Sequence, residues 1–248
     1  MTIAIHQFSC LSDNYGYLVR DEGSGKVACI DTPDAAAIIA AALERGWGID
    51  LVLNTHWHPD HAGGNAAIKE RFGACLVGPE EVRAHYPLDH VVKDGDGVSL
   101  GDTRFEVLDT GGHTLGHVCY YSRVDGTIFV GDTLFPLGCG RVFEGTPQQM
   151  WASLSRLAAL PDDTVAYSAH EYTLSNARFA QTVDQSEALM QRIALVEEMR
   201  FQGLPTVPTT IGDEKETNPF FRAPLLSTET EPAMAFADIR ARKDNFKG

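Results

Sequence analysis

Residues 51–61 read LVLNTHWHPDH, a short apolar run that breaks into three histidines and an aspartate. Leu51, Val52 and Leu53 read as a buried strand. An extended backbone sends alternate side chains to one side, so His56 and His58 can close on a single cation from the strand end. Asp60 and His61 are adjacent and cannot share that side, but a turn at Pro59 lets them face a second cation. Imidazole with carboxylate suits zinc, and also iron or manganese, while a stretch without cysteine argues against a closed structural zinc site. The alternative, a polar loop with chance histidines, fits poorly because HxHxDH is a specific spacing.

Outward from this stretch, the chain alternates between strands and helices. Apolar runs near Ile3, Tyr15 and Val27 read as antiparallel strands, with a hairpin turn at residues 22–25. Asp34 caps an alanine-rich helix that Gly46 closes. Further strands are expected near Cys75, Val98, Arg104, Val118, Thr127 and Thr164. The glycine-rich DTGGHTLGH at 109–117 must be a loop. Thr146-Pro147-Gln148-Gln149 is a capping box opening a helix whose face of Met150, Trp151, Leu154, Leu157 and Ala158 reads as core. Beyond residue 172 only helical patterns are visible, with a last helix from about Pro232 to Asp244. We therefore expect an α/β domain over 1–172 and a helical domain over 173–248.

Three more candidate ligands stand at strand ends or in the loops after them, each among small residues: His113, Asp132 and His170. With the first four they make five imidazoles and two carboxylates. That set suffices for two metals with open positions for water, the mark of a catalytic site. Spacing assigns His56, His58 and His113 to one metal, Asp60, His61 and His170 to the other, and Asp132 between them. His6, His85 and His90 lack such settings and read as surface or packing residues. His117 and Asp31 read as outer partners of the ligands.

Composition limits the remaining classes. Hydrophobic residues at 44% and charged residues at 22% are ordinary for a water-soluble domain, and no apolar run is long enough for a membrane span. The five cysteines form no CxxC, which suits reduced thiols and a cytoplasmic setting. A net charge of -14 argues against a nucleic-acid partner.

THWHPDH, GHTLGH, GDTLF and AHEYT, in that order, resemble the metallo-β-lactamase superfamily. GDTLFPLGCGRVFEGT at 131–146, HEYTLSNARFA at 170–180, NPF at 218–220 and the tail IRARKDNF narrow the resemblance to the glyoxalase II (hydroxyacylglutathione hydrolase) family. The resemblance implies a four-layered αβ/βα sandwich with a C-terminal helical domain, and a monomer. It also implies hydrolysis of S-D-lactoylglutathione, the second step of methylglyoxal detoxification, by a hydroxide between two metals. Asp60 and Asp132 would be catalytic as well as ligating. The family's glutathione contacts fall on Arg141, Tyr172, Arg240 and Lys243. Phe143 stands where some members have tyrosine, which removes a hydroxyl contact, and Arg141 stands where lysine is frequent. Arg141, Arg240 and Lys243 could pair with the carboxylates of glutathione. Arg240, Arg242 and Lys243 could instead be a solvated helix end. Cys139 reads as structural, since the chemistry needs no thiol nucleophile. The competing readings are a persulfide dioxygenase using one iron, and a nucleic-acid-processing member of the superfamily.

Overall fold

The computed structural model describes residues 2–248. Six strands, β1 (Ile3–Cys10), β2 (Asn14–Asp21), β3 (Val27–Ile30), β4 (Leu51–Leu53), β5 (Cys75–Gly78) and β6 (His90–Val91), lie side by side in chain order. The first three pair antiparallel through tight turns, and β3 to β6 pair parallel. Parallel neighbours need a crossover. Helix α1 (Ala35–Glu44) supplies it between β3 and β4, and its cap is the expected one, with Asp34 accepting from the amides of Ala36 and Ala37. The short α2 (Pro59–Ala62) and α3 (Asn65–Phe72) connect β4 to β5, and α4 (Glu80–Arg83) precedes β6. Ile38 of α1 and Ile68 of α3 pack with Leu18, Val52 and Leu76 of the sheet, all fully or almost fully buried.

Register decides what the ends of these strands can do. Ile30 pairs with Leu53, so the residues that follow them, Asp31 and the run from Asn54 to His56, emerge at the same sheet end. Ligand-bearing loops in parallel sheets sit at this carboxyl end because the strand ends there splay into loops.

A four-stranded antiparallel meander follows: β7 (Gly97–Leu100), β8 (Thr103–Asp109), β9 (Val118–Ser122) and β10 (Thr127–Gly131). The first sheet and these four strands belong to one compact unit, made of residues through Asp109 together with Gly116–Gly131.

The second compact unit consists of Thr110–Leu115 and Asp132–Gly248. It begins with a small hairpin, β11 (Leu134–Phe135) and β12 (Gly138–Cys139). Next come α5 (Pro147–Ala158), β13 (Val165–Ser168), α6 (Thr173–Val183) and α7 (Glu187–Phe201). The chain ends with β14 (Thr209–Thr210), α8 (Ile211–Thr217), α9 (Ala223–Leu226) and α10 (Pro232–Asp244). The capping box at Thr146 and Gln149 is present in full. Two expectations are corrected. The tail does contain a strand, β14, which pairs antiparallel with β13; two residues are too few to leave a period. In α5, Met150, Leu154 and Leu157 are buried, whereas Trp151 and Ala158 sit at the border of that face and are only half-buried.

Candidate active site

In the first unit, the backbone leaves β4 and turns at once. His58 is the N-cap of α2, and Pro59, at the first helical position where its missing N–H costs nothing, starts the helix. This turn brings the histidines of the motif together. His56 Nε2 lies 3.0 Å from His58 Nδ1, the rings of His56 and His61 are 4.0 Å apart, and Asp60 Oδ2 is 3.6 Å from His61 Nε2.

Hydrogen bonding settles which ring nitrogens face inward. His61 Nδ1 is 2.8 Å from Asp31 Oδ2, and a carboxylate only accepts, so Nδ1 carries the proton and Nε2 presents its electron pair. The Thr55 hydroxyl donates to the same Asp31 oxygen at 2.8 Å. Its single proton is thereby committed, so His56 Nδ1, at 3.0 Å, donates to it and His56 also offers Nε2. Asp31 completes the arrangement by accepting from the Thr55 amide at 2.7 Å, and it adopts φ +56, a conformation that aspartate tolerates better than most residues. Asn14 donates to Asp60 Oδ2 at 3.1 Å, which steadies that carboxylate. His117 is fully buried and stacks on His56 at 4.9 Å. The φ of Gly131 is +47 and a Cβ there would come within 2.6 Å of the His117 ring, so only glycine lets the chain pass. His6 and His90 lie away from this cluster: His6 pairs with Arg45, and His90 is exposed on β6. His85 stacks on Trp57 at 4.3 Å.

The second unit gathers His113, Asp132 and His170. His113 Nδ1 donates to the Arg141 carbonyl at 2.9 Å, which leaves Nε2 facing Asp132 Oδ2 at 3.3 Å. The other oxygen of the same carboxylate stands 3.4 Å from His170 Nε2. One buried carboxylate thus shows each of its oxygens to a different imidazole, which is how a bridging ligand is presented. A Cβ on Gly140 would fall 2.0 Å from the Asp132 carbonyl, so that position admits no side chain.

Beside Asp132 opens a cavity of about 440 Å³. His113, Asp132 and Phe135 form part of its wall; Arg141, Arg240 and Lys243 bring positive charge to it, and Phe143 and Tyr172 are its exposed aromatics. Tyr172 stacks on His170 at 4.7 Å with nearly parallel planes. Arg240 is not a solvated helix end: it is 7% exposed, donates to the Cys139 carbonyl at 3.2 Å, pairs with Asp244 at 2.8 Å and lies over the Phe220 ring. Lys243 donates to the Ser175 carbonyl at 2.9 Å. Burial, with repulsion from Arg240 and Arg141, lowers its amine to about 8. Burial pushes the Cys139 thiol up to about 11, which suits a structural rather than a nucleophilic cysteine. Ser175 and Asn176 also line the cavity and escaped the sequence reading. They sit in the first turn of α6, where small polar residues are commonplace. The nearby HEYT motif was the available signal.

The donors present suit a divalent cation. Each of His56, His61 and His113 has its Nδ1 proton committed to an oxygen, the outer bonding that ligating histidines require.

Comparison with known proteins agrees with this chemistry. The model of the metallo-beta-lactamase superfamily matches residues 14–170, and the model of the hydroxyacylglutathione hydrolase C-terminus matches residues 171–246. Together with the alternating sheets, helices and clustered imidazoles, this defines a metal-binding protein of the metallo-β-lactamase fold with a helical C-terminal region. A hydroxyacylglutathione hydrolase of Maricaulis maris is 53% identical, the match covering 98% of this chain and 99% of that one; another of Hyphomonas neptunium is 49% identical, covering 98% of each. ETHE1 from Myxococcus xanthus, a crystal structure, superposes with a TM-score of 0.72 at 27% identity, covering 98% of this chain and 92% of that one. The chain belongs to the hydroxyacylglutathione hydrolase family. Among the described residues no helix is long and apolar enough to cross a membrane.

Proposed function

We propose that this chain hydrolyses S-D-lactoylglutathione and related acyl-glutathiones to the hydroxy acid and glutathione, closing the detoxification of methylglyoxal in the cytoplasm as a monomer. The observation that carries the reading is the Asp132 carboxylate, one oxygen toward His113 and one toward His170, at the wall of a pocket that also holds Arg141, Arg240 and Lys243. Residues 1–172 supply the chemistry and 173–248 much of the substrate pocket.

Two divalent cations, zinc first and iron or manganese by the same donor chemistry, would be held by His56, His58 and His113, by Asp60, His61 and His170, and by Asp132 between them. In support, the first unit by itself gathers His56, His58, Asp60 and His61, and the second by itself gathers His113, Asp132 and His170. Bound there, the cations supply water ionised near neutral pH and a Lewis acid for the thioester carbonyl. The side chains do the rest. Asp60, steadied by Asn14, orients the attacking water. Arg141, Arg240 and Lys243 offset the carboxylate charge of glutathione, which an acidic chain would otherwise repel. The leaving thiol has an ordinary pKa and departs as thiolate with little need for a general acid.

The test is thioester hydrolysis with metal analysis on the same sample. We expect turnover with two equivalents of metal, lost in His58→Ala. One iron with consumption of dioxygen on addition of a persulfide would instead assign the chain to dioxygenases, and salt-sensitive RNA binding to the nucleic-acid branch.

A further inference from the structure

Residues 135–138 form the turn of the β11–β12 hairpin, a ribbon with only two residues in each strand. Such a ribbon does not hold its shape alone. Leu137 moreover takes φ +58, a conformation unfavourable to a bulky residue. Yet this hairpin is part of the pocket wall: Phe135, Cys139, Gly140 and Arg141 line the cavity on or just after it.

What holds it comes from the C-terminal helices. The Asn218 amide, at the end of α8, donates to the Phe135 carbonyl at 3.2 Å and the Gly138 carbonyl at 2.9 Å. Asn176 of α6 donates to the Pro136 carbonyl at 3.2 Å. The Leu137 amide donates at 2.9 Å to Glu214 Oε2, which also accepts from Asn218 at 2.8 Å. Every residue of the turn is therefore fastened by a helix side chain. Glu214 is fully buried, and its other oxygen is taken by Arg192 and by the Thr209 hydroxyl at 2.6 Å.

We infer that Glu214 and Asn218, which stand behind the cavity wall, are positioning residues for substrate binding. By fixing the 135–138 turn they set where Phe135 and Arg141 meet the glutathione moiety. The inference rests on the proposed thioester reading for its substrate, but not for its geometry.

The experiment compares Glu214→Ala, Asn218→Ala and Glu214→Gln in the full-length metal-loaded protein. Glutamine keeps an oxygen for the Leu137 and Asn218 donors, and its NH2 replaces the oxygen that accepts from Arg192 and Thr209, so the loss falls on the side away from the turn. Leaving a buried donor unsatisfied in Glu214→Ala, or buried carbonyl acceptors in Asn218→Ala, translates to about a tenfold rise in KM for S-D-lactoylglutathione in both variants, with kcat within about threefold. Glu214→Gln should lose Tm through its broken ion pair while its KM stays within about twofold of wild type. The second readout needs no activity: alkylation of Cys139, 6% exposed at the end of β12, followed by peptide mass mapping. It should quicken in the alanine variants and not in the glutamine one. Unchanged KM and unchanged Cys139 labelling in the alanine variants overturn the inference. So does a KM that rises in all three variants in proportion to the Tm each loses, the pattern of general destabilisation. If the wild type fails to hydrolyse the thioester, the functional reading falls and Cys139 labelling alone decides the clamp. If Glu214→Ala does not fold, Asn218→Ala against Glu214→Gln makes the same comparison.

Discussion

Replacing Asp31 by asparagine changes one atom in a buried network and should weaken metal binding without unfolding the chain. Asparagine tolerates the φ of +56 found there, so the backbone loses nothing. Its carbonyl oxygen still serves the Thr55 amide, now 2.7 Å from Asp31 Oδ1. The new NH2 group, however, takes the place of the oxygen that lies 2.8 Å from both His61 Nδ1 and the Thr55 hydroxyl. Two donors then oppose each other, and the easiest relief is for His61 to move its proton to Nε2. A protonated Nε2 cannot ligate. Loss of such an outer partner costs about 10–100-fold in metal affinity, or ~1.4–2.8 kcal/mol. The assay is competition against a chromophoric chelator, resolving the two metal equivalents, alongside thermal melting of the metal-free protein. Asp31→Asn should release one equivalent at lower chelator concentration, with a melting temperature near that of wild type. If both equivalents bind as tightly as in wild type, the tautomer argument is wrong.

Four further outcomes follow from the same structure. Lys243→Ala should raise KM with little effect on kcat, because the residue lines the cavity and its amine donates to Ser175 rather than to a proposed metal ligand. With its amine lowered to about 8, Lys243 is cationic below that pH and loses charge above it, so KM in the wild type should climb between about pH 7 and 9, and the climb should flatten in Lys243→Ala. Dialysis against a strong chelator should abolish hydrolysis, and readdition of zinc, manganese or ferrous iron under anaerobic conditions should restore it to degrees that rank the metals. Thr146→Ala removes the cap that accepts from the Gln149 amide and should cost about 0.5–2 kcal/mol in a denaturant titration, leaving KM unchanged.

Much of this was legible in the sequence because the physics behind it is local. Asp34, Gly46, Thr146 and Pro147 announce helix ends through their own backbone needs, and the structure has caps or stops at each. The HxHxDH spacing works because a strand end followed by a proline-initiated turn is a short-range event. What the sequence hid is of three kinds. Elements of two to four residues, such as β6, β11, β12, β14 and α2, complete no period and exist only because neighbours hold them. Residues such as Ser175, Asn176, Glu214 and Asn218 matter through partners that are 40 to 83 positions away in the case of Asn176 and Asn218 with the hairpin. The role of Arg240 depended on whether a cation near a helix end faces water or a cavity, and only folding decides that.

The segment Thr110–Leu115 leaves one compact unit to join the other, and the chain crosses over again after Gly131. A protein engineer who grafts a relative's last 76 residues onto this chain at position 172 would therefore cut through a folded body rather than between two. The transplanted helices would arrive without the hairpin whose turn their asparagines and glutamate evolved to grip. Chimeras in this family should exchange residues 110–115 and 132 onward as one inheritance, and hybrids that honour that seam should retain selectivity where simple tail swaps lose it.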